Sequence, residues 1–443
     1  MKTVSLIQSL LALVLCTALL ALPACGSNAE TGSRSSSSPS SSVAGQSEPS
    51  KDLSSPDDKS QEATSPEPET SSEHSGSASG SKPSSPGTSS PASSAASKPT
   101  PAPSAPPSSA PSAITALTPL SAASYYGRSK LSGNELTAYD RIVSGIENES
   151  ASINLSSCKL TQAAFEKVLN YYRADYPQHF WVGNEYNMKL SNHLMVSFEP
   201  QYLFTGTALA NAKKDVDAAV QAALSQVSGS WSEYDRERVI HDWLCGNVSY
   251  VDGKNAHNLY GVFVEKKAVC EGYAKAMQYL LYQSGIQCLC VTGMSAVPNS
   301  ARSEAHAWNI VRINKEYYHV DVTWDDQESN LFHAYLNLTD EQIQEDHTMD
   351  SDNYPLPACT ATANAYAVKS GCLLSRFDVS TVGNAIRSGQ GTASFFLTGA
   401  PSDFLTWFEA NMVAIAQAAG YTGGFSYSSH SLGHEVIMTM TAK

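Results

Sequence analysis

From about Leu117 onward, apolar and polar positions follow regular periods; before that point they do not. Apolar spacing of three and four predicts helices over Thr137–Ile146 and Thr161–Arg173, the second with Ala164, Val168, Leu169 and Tyr172 on one face. Asp175-Tyr176-Pro177 breaks that helix, Phe180-Trp181-Val182 opens a strand, and His193–Phe198 forms another. Ala212–Val227 is helical. The next helix starts after Ser232, with Asp235 three residues on as a capping partner and Val239, Ile240, Trp243 and Leu244 as its apolar stripe. A further helix runs Cys270–Ser284, with Tyr273, Met277, Leu280 and Leu281 inward and Gly285 as its stop. Three strands follow, at Ile286–Thr292, His306–Ile313 and Glu316–Thr323. Beyond Pro357 the chain alternates a strand near Leu373, a helix at Val382–Arg387, a strand at Ala393–Leu397, a helix at Asp403–Ala419 and a strand at His434–Thr441. Separate runs of helices and strands give an α+β class.

The first part of the 443-residue chain follows other rules. Lys2, an apolar run from Leu6 to Leu22, and Leu22-Pro23-Ala24-Cys25 describe a secretory signal over residues 1–25. A cysteine at the cut resembles the lipobox of bacterial lipoproteins. That resemblance makes Cys25 the lipidated residue and places the protein on the outer face of the bacterial cell membrane. Residues 26–113 are Ser, Pro, Ala, Gly, Thr and Glu with almost no large apolar side chain. Such a segment buries too little surface to offset its ordering entropy, so it reads as a disordered tether. As a random coil it would span on the order of 50 Å. The remaining divisions are a leader region at 117–230, a core at 231–357 and an α/β appendage at 358–443.

A net charge of −14 without a basic patch gives nucleic acid no purchase. The nine cysteines lack the spacing of a metal site, and no metal or other cofactor is expected. Cys288 and Cys290 share a strand face as small apolar residues, and Cys359 and Cys372 are candidates for a disulfide in an exported protein.

Cys270 at a helix start, followed by His306 and Asp321, is the order of parts a thiol nucleophile needs. Only the thiolate attacks, and a helix N-terminus and a neighbouring imidazolium both favour it. If Asn314-Lys315 is a two-residue turn, Ile313 pairs with Glu316 and Trp308 stands opposite Asp321. His306 and Asp321 then share one face as diagonal neighbours. The other face carries Ala307, Val311, Ile313, Tyr318, Val320 and Val322 as a core side, which leaves His306, Trp308, His319, Asp321 and Thr323 facing the Cys270 helix. In this reading Cys270 attacks, His306 moves the proton and Asp321 orients His306. Gly272 would let a substrate backbone approach, and Tyr260 and Trp308 are candidate donors to an oxyanion, with aromatic core as their plainer role. His319 is the rival base. His241, His257, His333 and His347 read as structural or loop residues, and Asp325-Asp326 as a solvated turn. A metal held by His306, His319 and Asp321 is the third reading of these side chains.

The run Gly261-Val262-Phe263-Val264-Glu265-Lys266-Lys267-Ala268-Val269-Cys270-Glu271-Gly272-Tyr273-Ala274, with His306-Ala307-Trp308-Asn309 and Tyr318-His319-Val320-Asp321-Val322-Thr323-Trp324-Asp325, resembles the bacterial transglutaminase-like superfamily. The resemblance spans residues 231–327. It implies a papain-like α+β core, its nucleophile helix packed on an antiparallel sheet, with a Cys-His-Asp triad at Cys270, His306 and Asp321. It further implies a cell-surface cysteine-dependent hydrolase or acyltransferase, a protease or transglutaminase-like enzyme acting on peptide or glutamine-type amides through a thioester. The expected partners are a protein or peptide substrate and, through the lipid anchor, the membrane. The alternative is a catalytically silent module of the same fold that binds cell-wall or extracellular peptides. Oligomeric state is not legible.

Overall fold

The computed structural model describes residues 2–4, 115–296, 302–327, 330–350 and 355–442. The lipobox, Cys25 and the tether lie outside them. Among the described residues no helix is long and apolar enough to cross a membrane. Lys2–Val4 pairs antiparallel with the strand at Val182–Ser191.

The leader region folds as α1 (Gly133–Glu147), α2 (Gln162–Asp175), β1 (Val182–Ser191), β2 (Leu194–Tyr202) and α3 (Gly206–Leu224). Thr161 caps α2 by accepting from the Ala164 amide at 3.2 Å. Asn192 and His193, both at positive φ, make the two-residue turn that pairs Ser191 with Leu194. Each element expected from the sequence is present, with ends moved by a few residues.

The core opens with α4 (Glu233–Asn247), capped by Ser232, whose Oγ accepts from the Asp235 amide at 3.1 Å. Then come α5 (Cys270–Gln283), β3 (Cys288–Ala296), β4 (Ser303–Ile313), β5 (Glu316–Val320), the short α6 (Val322–Asp325), β6 (Leu336–Leu338) and β7 (His347–Met349). The five strands form one antiparallel sheet in the order β6-β5-β4-β3-β7. Asn314 and Lys315 both take positive φ, and Ile313 pairs with Glu316, the register the hairpin pattern predicts.

Two features of this sheet differ from expectation. β5 ends at Val320 rather than Thr323, because the Asp321 carboxylate accepts from the Thr323 and Trp324 amides and turns the chain into α6. The nucleophile helix also lies on the opposite face. Val311, Ile313, Tyr318 and Val320 share a core with Tyr273, Met277 and Leu280 of α5. The His306 face is covered by the segment after α6, where Trp308, Ile310 and Val291 pack with Tyr335, Ile343 and Cys359. An apolar helix stripe pairs with the apolar sheet face, which is the arrangement that removes most surface from water.

The same apolar cluster runs without a break from Tyr125 to Leu336, so leader and core share one interior. Tyr125 stacks on Tyr282 of α5 with centroids 4.4 Å apart, and the Gln278 amide donates to the Ala174 and Cys288 carbonyls at 2.7 and 3.1 Å. These contacts grip the C-terminal half of α5, and at its start Cys270 stays only partly buried.

The appendage has its own apolar centre. It comprises β8 (Leu373–Leu374), α7 (Val379–Ser388), β9 (Thr392–Leu397), α8 (Pro401–Ala419), β10 (Phe425–Leu432) and β11 (Glu435–Ala442), in sheet order β8-β9-β11-β10. The serine-rich β10 was not expected as a strand; it forms by pairing along all of β11 at the sheet edge, where one face stays wet. Cys359 and Cys372 are both free thiols, so the disulfide expectation fails.

Candidate active site

Cys270 is the first residue of α5, and its half-exposed side chain stands where the helix leaves amides without i−4 partners. A five-residue π turn, Gly261–Glu265, precedes it, and the Val269 amide donates to the Ala256 carbonyl at 3.1 Å to fix the helix start. Glu271 is buried and held by Lys275 at 2.5 Å and His257 at 2.9 Å, which anchors the first turn.

The His306 ring hydrogen-bonds Asp321 on one side, and the Cys270 thiol is near enough on the other to favour the ring's charged form. Its Nε2 lies 2.6 Å from Asp321 Oδ2, which leaves Nδ1 for the sulfur. Asp321 is fully buried and also accepts from the Thr323 and Trp324 amides at 2.9 and 3.1 Å. Burial alone would raise its pKa, but the charge and hydrogen bonds of two imidazoles push it well below the usual carboxylate range. Burial likewise works against a charged His306. The Asp321 charge and hydrogen bond, with the thiol's contribution, outweigh it and carry His306 up to about 10. The structure therefore brings Cys270, His306 and Asp321 together, with His306 hydrogen-bonded to Asp321 and next to the thiol.

The second imidazole on Asp321 is His347, which the sequence reading left among structural or loop residues. Its Nε2 reaches Asp321 Oδ2 at 3.1 Å, its Nδ1 reaches Asp346 Oδ1 at 2.5 Å, and its side chain is fully buried. No local motif marks it. It arrives through β7, which pairs antiparallel with β3 and sets His347 opposite Ser295.

The other candidate residues are placed elsewhere. A Cβ on Gly272 would stand 2.2 Å from the Ala256 carbonyl oxygen, so the close approach this glycine permits is by the protein's own backbone. Tyr260 packs its ring on Phe204 and Phe180 of the leader, at 5.2 and 6.4 Å. Trp308 is buried, and its indole N–H donates to His319 Nδ1 at 3.0 Å, so it has no hydrogen left for an oxyanion. His319 faces Asp340 with its other nitrogen at 2.9 Å. That pattern fixes its proton on Nε2, and burial lowers its pKa. The trio His306, His319 and Asp321 is thus not assembled.

A second His–carboxylate cluster lies beneath α6. His241 bridges Asp242 at 3.1 Å and Asp325 at 3.2 Å, and His333 Nε2 meets Asp242 at 2.7 Å. Arg238 closes Asp242 at 3.1 Å, and Glu435 of the appendage accepts from the His333 amide at 2.7 Å. Asp325 is fully buried and Asp326 accepts from the Tyr273 hydroxyl at 2.5 Å, so this pair is no solvated turn. The pattern of an acidic pair cannot reveal that a buried histidine awaits it. Among the described residues, three groups place ring and carboxylate or thiol atoms within 4.8 Å of one another: His241–Asp242–His333, His306–Asp321–His347 and His319–Asp340–Cys359. In each, an imidazole nitrogen is already hydrogen-bonded to the carboxylate of the group, and a cation would have to displace that proton.

A family model for the transglutaminase-like superfamily core matches residues 220–322, the segment from late α3 to the start of α6. The chain is similar to the kyphoscoliosis peptidase of Homo sapiens, 25% identical over 166 residues, which covers 33% of this chain. It spans about a quarter of that relative's length. Among solved structures it overlaps a protein described as a TGase at 14% identity and TM-score 0.23, over 34% of this chain and 47% of that one. It also overlaps a putative cysteine protease from Cytophaga hutchinsonii at 18% identity and TM-score 0.21, over 25% and 37%. The segment that matches the transglutaminase-like superfamily core model contains Cys270, His306 and Asp321.

Proposed function

We propose that the protein is a cysteine-dependent hydrolase or acyltransferase acting on peptide or glutamine-type amides. The observation that carries this reading is the buried His306–Asp321 hydrogen bond set beside the partly buried Cys270 thiol at a helix N-terminus. Sγ bonds to the amide carbonyl carbon, and the carbonyl electron pair moves to oxygen. Collapse breaks the C–N bond, and the leaving amine takes the proton from His306 Nδ1. The thioester is resolved by water or an amine, which returns a proton to His306 as it attacks and frees the thiolate. Asp321 keeps His306 in the orientation that serves both transfers. The lipobox-like Cys25 and the Ser/Pro-rich tether support an export route that holds the core off the outer face of the membrane.

Alkylation by iodoacetamide, read by peptide mass spectrometry, tests the site without a known substrate. Cys270 should react at neutral pH, and His306→Ala should slow it by at least about tenfold. Buried Cys288, whose pKa burial raises, should stay unlabelled and act as an internal control. Equal rates in the wild type and His306→Ala would sink the reading. Release of peptide fragments against incorporation of a labelled primary amine then separates water from an amine as acceptor.

A further inference from the structure

Two imidazoles share one carboxylate oxygen in this site. His306 and His347 both reach Asp321 Oδ2, at 2.6 and 3.1 Å, with ring centroids 5.3 Å apart. We propose that His347 is a positioning residue of the site: as an imidazolium clamped between Asp321 and Asp346, it orients Asp321 and tempers that carboxylate's hold on the His306 proton. The proposal rests on the enzymatic reading above and concerns how readily His306 releases its proton to the leaving amine.

The geometry selects the charged form of His347. Both ring nitrogens face carboxylate oxygens, which are acceptors only when ionised. A neutral ring would aim a lone pair at one of them. The Tyr335 hydroxyl donates to the other oxygen of Asp346 at 2.5 Å and keeps that carboxylate turned towards His347. The ring packs against Trp324 and Trp308, at 4.7 and 5.0 Å, which help to keep it from water. Burial opposes the charge, and the bonds to Asp321 and Asp346 outweigh it, so the His347 pKa is raised. The titratable groups facing it are Asp321 beyond β5, Asp346 beside it, His306 from β4, Tyr335 before β6 and the more remote His319 from β5.

A buried cation beside a buried imidazolium has a direct consequence. It repels the His306 charge and occupies part of the carboxylate that holds it. Without His347, Asp321 Oδ2 would serve His306 alone and grip its proton more tightly. A general acid held too tightly gives up its proton slowly, which would show as a fall in turnover more than in substrate binding.

The test is a pH titration of histidine-labelled (15N) full-length protein by NMR, with wild type, His347→Gln and Asp346→Asn. In the wild type, both His347 nitrogens should carry protons at neutral pH. In His347→Gln the His306 midpoint should rise by about one pH unit, and Asp346→Asn should move it in the same direction by less. A singly protonated His347 at pH 7 overturns the proposal. So does a His306 midpoint unmoved in both variants while Tm falls, because that pattern belongs to a packing residue. Should His347→Gln fail to fold, Asp346→Asn carries the test alone, since that carboxylate is about a quarter exposed. The alkylation experiment fails or succeeds on Cys270 and His306 without reference to His347, so failure of the enzymatic reading and failure of this inference are distinguishable.

Discussion

The protein contains two buried histidine–carboxylate networks on either side of α6, built from the same chemistry. One joins Asp346, His347, Asp321 and His306 and ends on the half-exposed Cys270. The other joins Glu435, His333, Asp242, His241 and Asp325, and each end is closed, by Arg238, by backbone amides or by the appendage. They meet at α6, whose N-cap is Asp321 and whose last residue is Asp325. The two networks differ in access at one end, not in residue type. A paired charge with no open end can only hold the fold. One that stops at a reachable thiol can move a proton out to a substrate.

The largest expected effect removes the open end. Cys270→Ala should lower any turnover by at least about a thousandfold while leaving Tm within a few degrees, as measured by calorimetry beside the rate assay. Loss of both together would erase the distinction between the networks. Breaking the closed network should do the reverse. Asp242→Ala strands His241, His333 and Arg238, and about 3–5 kcal/mol of stability should go, read by denaturant unfolding. A stable Asp242→Ala protein with normal unfolding would show that the closed cluster contributes nothing to the fold.

A smaller effect should appear only above mildly acid pH. Burial raises the Glu435 carboxyl from its ordinary 4.5 to about 7, against the opposing pull of His333, Ser394 and the His333 amide. A folded pKa above the unfolded one means its stabilising share is complete below about 4.5 and is lost as pH rises through about 7. The loss would be on the order of 3 kcal/mol by pH 8. Glu435→Gln, which keeps the shape and stays neutral, should therefore match the wild type at pH 4.5 and exceed its Tm at pH 8. A parallel decline in both proteins would mean that Glu435 is ionised at no cost. The smallest change expected is in Gly272→Ala, which forces a methyl towards the Ala256 carbonyl 2.2 Å away and should cost roughly 1–3 kcal/mol while disturbing the seat of Cys270.

How much of this was legible from the chain depends on range. The helices and hairpins were readable because their signals are local. Ser232 with Asp235 marks a cap, and the turn at Asn314-Lys315 sets a register that the pairing of Ile313 with Glu316 repeats. The triad residues could be named from the same hairpin and the helix start. What failed needed knowledge of distant segments. Trp308 was a plausible oxyanion donor until His319 took its hydrogen, and Asp325 a plausible surface residue until α4 laid His241 over it. The helix was placed on the wrong side of the sheet because alternation divides residues between two faces without saying which neighbour covers which.

By itself the sequence determined the α+β class, the order of elements and the hairpin register, and it singled out Cys270, His306 and Asp321 as the candidate trio. Each follows from contacts between residues close in the chain, or from side-chain period, and both are written locally. Only the tertiary structure decided that His347 shares Asp321 and that the leader and core have one interior. It alone put Glu435 of the appendage against His333. Those are meetings of segments separated by tens of residues or more, chosen by which apolar faces cover one another and which buried charges find partners. That choice belongs to the packed molecule as a whole.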